Sequence, residues 1–355
     1  MSTDAPKPHV RRPRYKGTHP RAFHEKYKEL APERYADDVA KVLASGKTPA
    51  GSHRPIMVRE LLDVLAPVPG AFAVDATLGY GGHSAELLQA VLPGGRLLAL
   101  DVDPVELPRT EARLRGREFP PDALRVRRSN FAGLVRLLAA EGLPPADIIL
   151  ADLGLSSMQI DDPARGFTFK REGPLDLRMN PHRGQPASAL LATVDVRTLT
   201  RLLEENADQP DAPALAAALV ECRNRSRIDT TTALAEAVRA SLPSSRGHRD
   251  DADESDGSVR RVFQALRVAV NEEFTALDTF LRHLPECLAP GGRVAILTFH
   301  SGEDRRVKHA FRAGAEAGLY ARISDTVGRA TPEERRANPR STSAKLRWAV
   351  RAQDA

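Results

Sequence analysis

Short apolar runs that end on an aspartate, with helical spacing between them, constrain this chain more than any other feature. The runs are AFAV at 71–74 before Asp75, RLLAL at 96–100 before Asp101, and DIILA before Asp152. A weaker run, ALRVRR, stands between the second and third, and residues such as Leu87, Leu88 and Val91 fill the gaps at helical spacing. A continuously apolar strand must be covered on both faces, and alternating helices supply the covers. The pattern predicts an α/β fold with a parallel, doubly wound sheet.

The alternation stops after Asp152. From about 157 to 258 the spacing predicts helices near 198–206, 212–223 and 231–242 but no strand, and the block ends in SSRGHRDDADESDG, read as a polar loop. Beyond it, Val262, Phe263, Leu266, Val270, Phe274, Leu277 and Leu281 predict one long amphipathic helix. APGGRVAILTFHS then restores the sheet with a fifth strand at about 293–299, and SAKLRWAVR predicts a last one. The domain reading is therefore a basic extension over 1–52, a sheet domain in two parts (53–156 and 259–355), and a helical insertion over 157–258.

Lys and Arg number 52 against 47 Asp and Glu, a surplus of +5 that fits a polyanionic partner. The extension interleaves Tyr15, Phe23 and Tyr27 with arginines and lysines, a composition suited either to an RNA-binding arm or to a solvated extension packed on the main domain. Cys222 and Cys287 lack any CxxC spacing and read as buried thiols in a reducing compartment. No apolar run approaches the roughly 18 residues of a membrane span, and the charged start lacks a secretory apolar region. The expected location is cytoplasmic, with no membrane contact.

DATLGYGGHS, at the first strand-to-helix joint, places Gly79, Gly81 and Gly82 where a backbone must turn and a ligand can approach the main chain. No GxxxxGK[ST] lysine follows, which excludes a P-loop nucleotide site. A dinucleotide fingerprint is matched only in part. The third candidate is S-adenosylmethionine, whose cationic parts suit Asp75 and Asp152 and whose ribose suits Asp101, since open α/β sheets bind ligands at the carboxyl ends of their strands.

Several stretches together resemble the bacterial small-subunit ribosomal RNA methyltransferase H family: DATLGYGGHS, GRLLALDVDP, DLGLSSMQIDDPARGFTF, GPLDLRMN, RVFQALRVAVNEE, APGGRVAILTFHS with EDRRVK, and NPRSTSAKLR. The resemblance implies a class I methyltransferase sheet with an inserted helical domain, acting on the N4 amino group of a cytidine in 16S rRNA of the small ribosomal subunit. It implies S-adenosylmethionine as cofactor, held by Gly81, Gly82, His83, Asp101, Phe131, Asp152 and Gln159. The chain departs from the family pattern at NADQPDAPA (206–214), at Gly302 where leucine is usual, in an expanded acidic stretch at 250–256, and in its longer leader.

Cytosine N4 is a weak nucleophile because its lone pair is delocalised into the ring. The chemistry asks for an in-line approach and an acceptor for an N–H, a role open to Asp152, whose alternative is only to hold the cofactor. Leu153 and Gly154 follow it, so a stacking aromatic must come from elsewhere, with Phe167 and Phe169 as candidates. His300 is expected to shape the target-base pocket or to act there; its neighbours Ser301, Glu303 and Asp304 do not form a hydrolase triad, because no GxSxG elbow is present. No Cys/His spacing points to a metal. Arg165, Arg171, Arg178, Arg183, Arg260, Arg261, Arg267, Arg305, Arg306 and Lys308 are candidate RNA contacts. The competing readings are the same chemistry on another RNA or on DNA, and a cofactor-binding ribosome assembly factor without turnover.

Overall fold

In a computed structural model the described residues are 55–242 and 249–353, so the expected N-terminal RNA arm lies outside them. The first half alternates as its pattern requires: α1 (Val58–Leu65), β1 (Phe72–Asp75), α2 (Gly82–Val91), β2 (Arg96–Asp101), α3 (Glu106–Arg115), β3 (Leu124–Arg128), α4 (Leu134–Ala140) and β4 (Ala146–Asp152). After the helical block come β5 (Leu288–Thr298), β6 (Tyr320–Ile323) and β7 (Lys345–Arg351). The sheet runs β3-β2-β1-β4-β5-β7-β6. β3, β2, β1, β4 and β5 pair in parallel, whereas β7 runs antiparallel to both β5 and β6. This is the class I methyltransferase sheet.

Alternate residues of each central strand feed two cores, which is why these runs are apolar throughout. Ala73, Leu97, Ala99, Ile148, Leu150 and Leu297 face α1 and α2, packing on Leu61, Leu65, Leu87 and Leu88. Val74, Leu98, Leu100, Ile149, Ala151 and Ile296 face the other way, onto Leu134 and Leu138 of α4 and the apolar side of α11 (Glu273–Cys287), including Leu277, Phe280 and Leu284.

A third core belongs to the segment between β4 and β5. It joins α6 (Ala187–Thr193), α7 (Val196–Ala207), α8 (Ala212–Arg225), α9 (Thr231–Ser241) and α10 (Arg249–Val270) through Leu191, Leu199, Leu203, Leu219, Leu234, Val262 and Leu266. A short α5 (Ser157–Asp161) precedes these helices. Residue 258 falls inside α10, so one helix runs through the boundary expected there.

Three expectations are corrected. The acidic stretch after 248 is helical, not a loop. The single long helix is two, because the chain turns at Glu272 with φ 51°. There the Asn271 amide donates to Leu177 O at 2.7 Å while its oxygen accepts from Met179 N at 2.7 Å, tying the break to the loop before α6. Cys222 is half-buried; only Cys287 is fully buried, where burial pushes its thiol up to about 12.

Candidate functional site at the strand tips

Because β2, β1 and β4 are adjacent and parallel, Asp101, Asp75 and Asp152 end side by side at one edge of the sheet. They do different work. Asp75 is fully buried and accepts from Ser84 Oγ at 2.6 Å and Thr77 N at 3.0 Å, so it braces the glycine turn from within. Burial raises its pKa in spite of those donors. Asp101 accepts from Gly79 N at 2.7 Å with one oxygen and from Asp103 N at 2.9 Å with the other. Its carboxyl is packed among protein atoms, and that desolvation pushes its pKa up to about 6. Each oxygen keeps a lone pair, the arrangement needed to accept from a vicinal diol.

The glycines divide differently from expectation. A Cβ on Gly81 would stand 2.8 Å from Thr110 Cγ2, and one on Gly82 would stand 3.0 Å from the Pro55 ring. Their lack of a side chain therefore serves packing against α3 and Pro55. Gly79, at φ +48°, is the glycine of the turn whose Cβ direction meets nothing closer than 3.8 Å, leaving the main chain approachable there. Gly81 N donates to Leu78 O, while Gly82 and His83 open α2, where the first-turn amides have no helical acceptor.

His83 links this turn to β4. Its Nε2 lies 2.9 Å from Ile56 O, to which it donates, and its Nδ1 lies 3.4 Å from Asp152 Oδ2. Burial opposes charge on the ring, but the Asp152 carboxylate, the Ile56 carbonyl and Asp75 outweigh it, and the pKa is raised. The β4 tip is held by Asp152 N donating to Thr77 Oγ1 at 2.6 Å. The other carboxylate oxygen, Asp152 Oδ1, is buried with no hydrogen-bond partner among the described residues. An orphaned acceptor of that kind costs about 1–3 kcal/mol, and a donor from a ligand or substrate satisfies it.

Gln159 sits beside the β2 tip but is engaged by the protein. In the capping box of α5 its oxygen accepts from Ser156 N at 2.9 Å, and its Nε2 donates to Asp103 Oδ2 at 2.8 Å. Asp103, which sequence reasoning passed over, is 1% exposed and also takes Arg165 Nη1 at 2.7 Å and the Val105 amide at the start of α3. Its signal was visible as the second acid of DVDP. Phe131 opens a turn after β3, with its ring edge-on to Phe280 at 5.3 Å and one side left half-buried, which suits a planar base.

His300 follows β5 and caps α12 (Ser301–Glu316), its ring nitrogen accepting from Glu303 N at 3.4 Å. Its Nε2 lies 3.2 Å from Glu303 Oε1 but off the hydrogen-bonding direction, and is buried without a partner. Burial works against ionising Glu303, yet His300, Arg267 and the Phe299 amide overcome it and lower its pKa. Glu273, His300 and Glu303 bring ligand-type atoms within 4.8 Å of one another, but both Glu273 oxygens accept from Arg267, at 2.8 and 3.0 Å. Ser301 donates to Asp208, away from the imidazole, in keeping with the absence of a hydrolase triad.

Several candidate contacts fall elsewhere. Phe167 and Phe169 are half-buried and pack against the helical core, with Phe169 5.5 Å from Phe263. Arg165 and Arg267 are spent on Asp103 and Glu273 inside the protein, and Arg178 pairs with Asp176. Arg261 donates to Gln209. Arg171, Arg183 and Arg260 are exposed. Gly302 admits the Phe274 ring, whose Cζ would lie 2.6 Å from a Cβ at that position. The departing stretch at 206–214 carries Asp208, which pairs with Arg305 at 2.9 Å.

The donor set fits S-adenosylmethionine: carboxylates for its diol and cationic groups, free amides at α2, an approachable Gly79 and an apolar ring at Phe131. The family model described as the MraW methylase family matches residues 50–352. The chain is 48% identical over 345 residues to Ribosomal RNA small subunit methyltransferase H 1 of Lachnoclostridium phytofermentans, covering 97% of this chain and 93% of that one. It is 49% identical over 343 residues to Ribosomal RNA small subunit methyltransferase H 2 of Alkaliphilus metalliredigens, covering 96% and 97%. A relative in Thermomicrobium roseum, Ribosomal RNA small subunit methyltransferase H, is 41% identical over 318 residues, covering 84% and 94%. With most of its length matched by the family model and by these relatives, the chain belongs to the MraW methylase family.

Proposed function

We propose that this methylase transfers a methyl group from S-adenosylmethionine to N4 of a cytidine in 16S rRNA of the small ribosomal subunit, working in the cytoplasm. No described helix is long and apolar enough to cross a membrane. The observation that carries the reading is Asp152: one oxygen faces His83, and the other is buried without a donor. When bound, the cofactor supplies an electrophilic methyl on a sulfonium. Asp101 and Phe131 hold its ribose and adenine, and the α2 amides with His83 and Gln159 border the rest. Asp152 Oδ1 accepts one N4–H, which favours localisation of the nitrogen lone pair towards the incoming methyl, and takes up that proton so that the methylated amino group is left neutral. His300 walls the target-base pocket from the neighbouring strand. The 157–258 insertion serves substrate recognition, with Arg171, Arg183 and Arg260 as phosphate contacts.

The test is methyl transfer from labelled S-adenosylmethionine to unmethylated small subunits, alongside naked 16S rRNA and DNA. Label on the subunit is the expected result. Preferential label on another nucleic acid would overturn the substrate assignment. Cofactor binding with no transfer to any of them would mark a non-catalytic assembly factor.

A further inference from the structure

A groove of about 710 Å³ lies between α11, α12 and the start of β6. Leu281, Ala310, Ala313 and Leu319 give it an apolar lining, and the Tyr320 ring packs against Gly314. Its rim is cationic. Arg282, Arg305, Arg306 and His309 line it, and Asp278 is the one acid of the lining, already paired with Arg306.

The charge continues along the helix. Residues 305, 308, 309 and 312 follow i, i+3, i+4, i+7 spacing, so Arg305, Lys308, His309 and Arg312 share one face of α12. Arg305 is held by Asp208. Arg282, Lys308 and Arg312 make no ion pair or hydrogen bond among the described residues, so their charge is not already neutralised by the fold. Asp304, one turn before Lys308, is already paired with Arg347 and Lys345, and Glu316 ends the helix. The stripe begins one turn beyond His300 and extends about 10 Å from Arg305 to Arg312 at 1.5 Å per residue.

We infer that this groove and stripe form a docking surface for the phosphodiester backbone of RNA flanking the methylated nucleotide. The inference rests on the rRNA reading above and adds the path by which the substrate leaves the site. Uncompensated cations spaced along a helix that starts at the site suit a chain of phosphates. The one acid of the lining, Asp278, is already paired, so the free cations favour a polyanion.

The experiment compares wild type with the triple variant Arg282→Ala, Lys308→Ala, Arg312→Ala. Binding to purified small subunits and KM for methyl transfer are both measured between 50 and 200 mM salt, with S-adenosylmethionine affinity and thermal melting as controls for folding. The expected result is a raised KM, unchanged kcat and cofactor affinity, and a log–log salt dependence shallower by about 2, since each lost phosphate contact removes about 0.7–0.9 from the slope. Wild-type values for the triple variant would overturn the inference while leaving the function intact. So would a loss reproduced by Leu319→Asp with the salt slope unchanged, which would mark a protein partner. A wild-type protein that neither binds nor methylates subunits would remove the functional reading and this inference together.

Discussion

In the proposed reading Asp101 holds the cofactor's ribose, and cofactor affinity is then expected to follow the ionisation of its carboxyl. Its carboxyl, pushed up to about 6 by burial, must be ionised to accept two ribose hydroxyls while retaining the Gly79 and Asp103 amides. With that pKa it is almost fully ionised at pH 7.5 and about one-tenth ionised at pH 5, so S-adenosylmethionine binding weakens about tenfold, or ~1.4 kcal/mol, over that interval. Stability of the free protein moves the other way. A carboxyl whose folded pKa lies above its unfolded value favours the fold most below about 4 and loses that contribution as pH rises through about 6, a difference of ~3 kcal/mol for this group alone. Calorimetric titration of the cofactor at several pH values, in buffers of different ionisation enthalpy, reads both the affinity and the proton released. Asp101→Asn accepts through one oxygen only, so it binds more weakly at every pH and shows a flat profile. Wild-type affinity that is constant from pH 5 to 7.5 refutes the reasoning. A slope that persists in Asp101→Asn assigns the titration to Asp75 or His83 instead.

Three further substitutions probe the same edge of the sheet. Asp152→Asn is expected to lower kcat by about 10²–10⁴ at saturating cofactor with a far smaller change in subunit KM, the range for loss of a positioned proton acceptor; single-turnover kinetics with small subunits measures it. Gly81→Ala forces a side chain into φ +79° and onto Thr110, and is expected to destabilise by about 1–3 kcal/mol in a denaturant titration. Arg165→Met leaves Asp103 buried with its charge unpaired while sparing its amide and Gln159 donors. A loss near ~3 kcal/mol, the lower end for a broken buried pair, is expected in the same titration.

The sheet was legible because its buried strands are apolar on both faces and each of three ends on an aspartate. β6 was not, since YARI is a short strand at the sheet edge in which only Tyr320 is fully buried. The break between α10 and α11 was hidden because apolar spacing continues across it; what stops the helix is Asn271 bonding to a segment about ninety residues away, which no local pattern records. At the candidate site the strand-tip acids were legible, but their division of labour was not. Asp75 turned inward because Ser84 and Thr77 meet it, and the open face belongs to Gly79 because Thr110 and Pro55 fill the space beside its neighbours. Arginines showed the same limit. Arg165, Arg178 and Arg267 look like phosphate contacts in a sequence, and only the fold reveals Asp103, Asp176 and Glu273 as their partners.

The chemical position of the methyl group tests the central claim most directly. Small subunits lacking the modification are incubated with the enzyme and S-adenosylmethionine, and the rRNA is digested to nucleosides for mass spectrometry against authentic standards. N4-methylcytidine is the predicted product, absent when Asp152→Ala replaces the wild type. A methyl found on carbon 5, on a ribose hydroxyl or on another base would contradict the role assigned to Asp152 at the β4 tip.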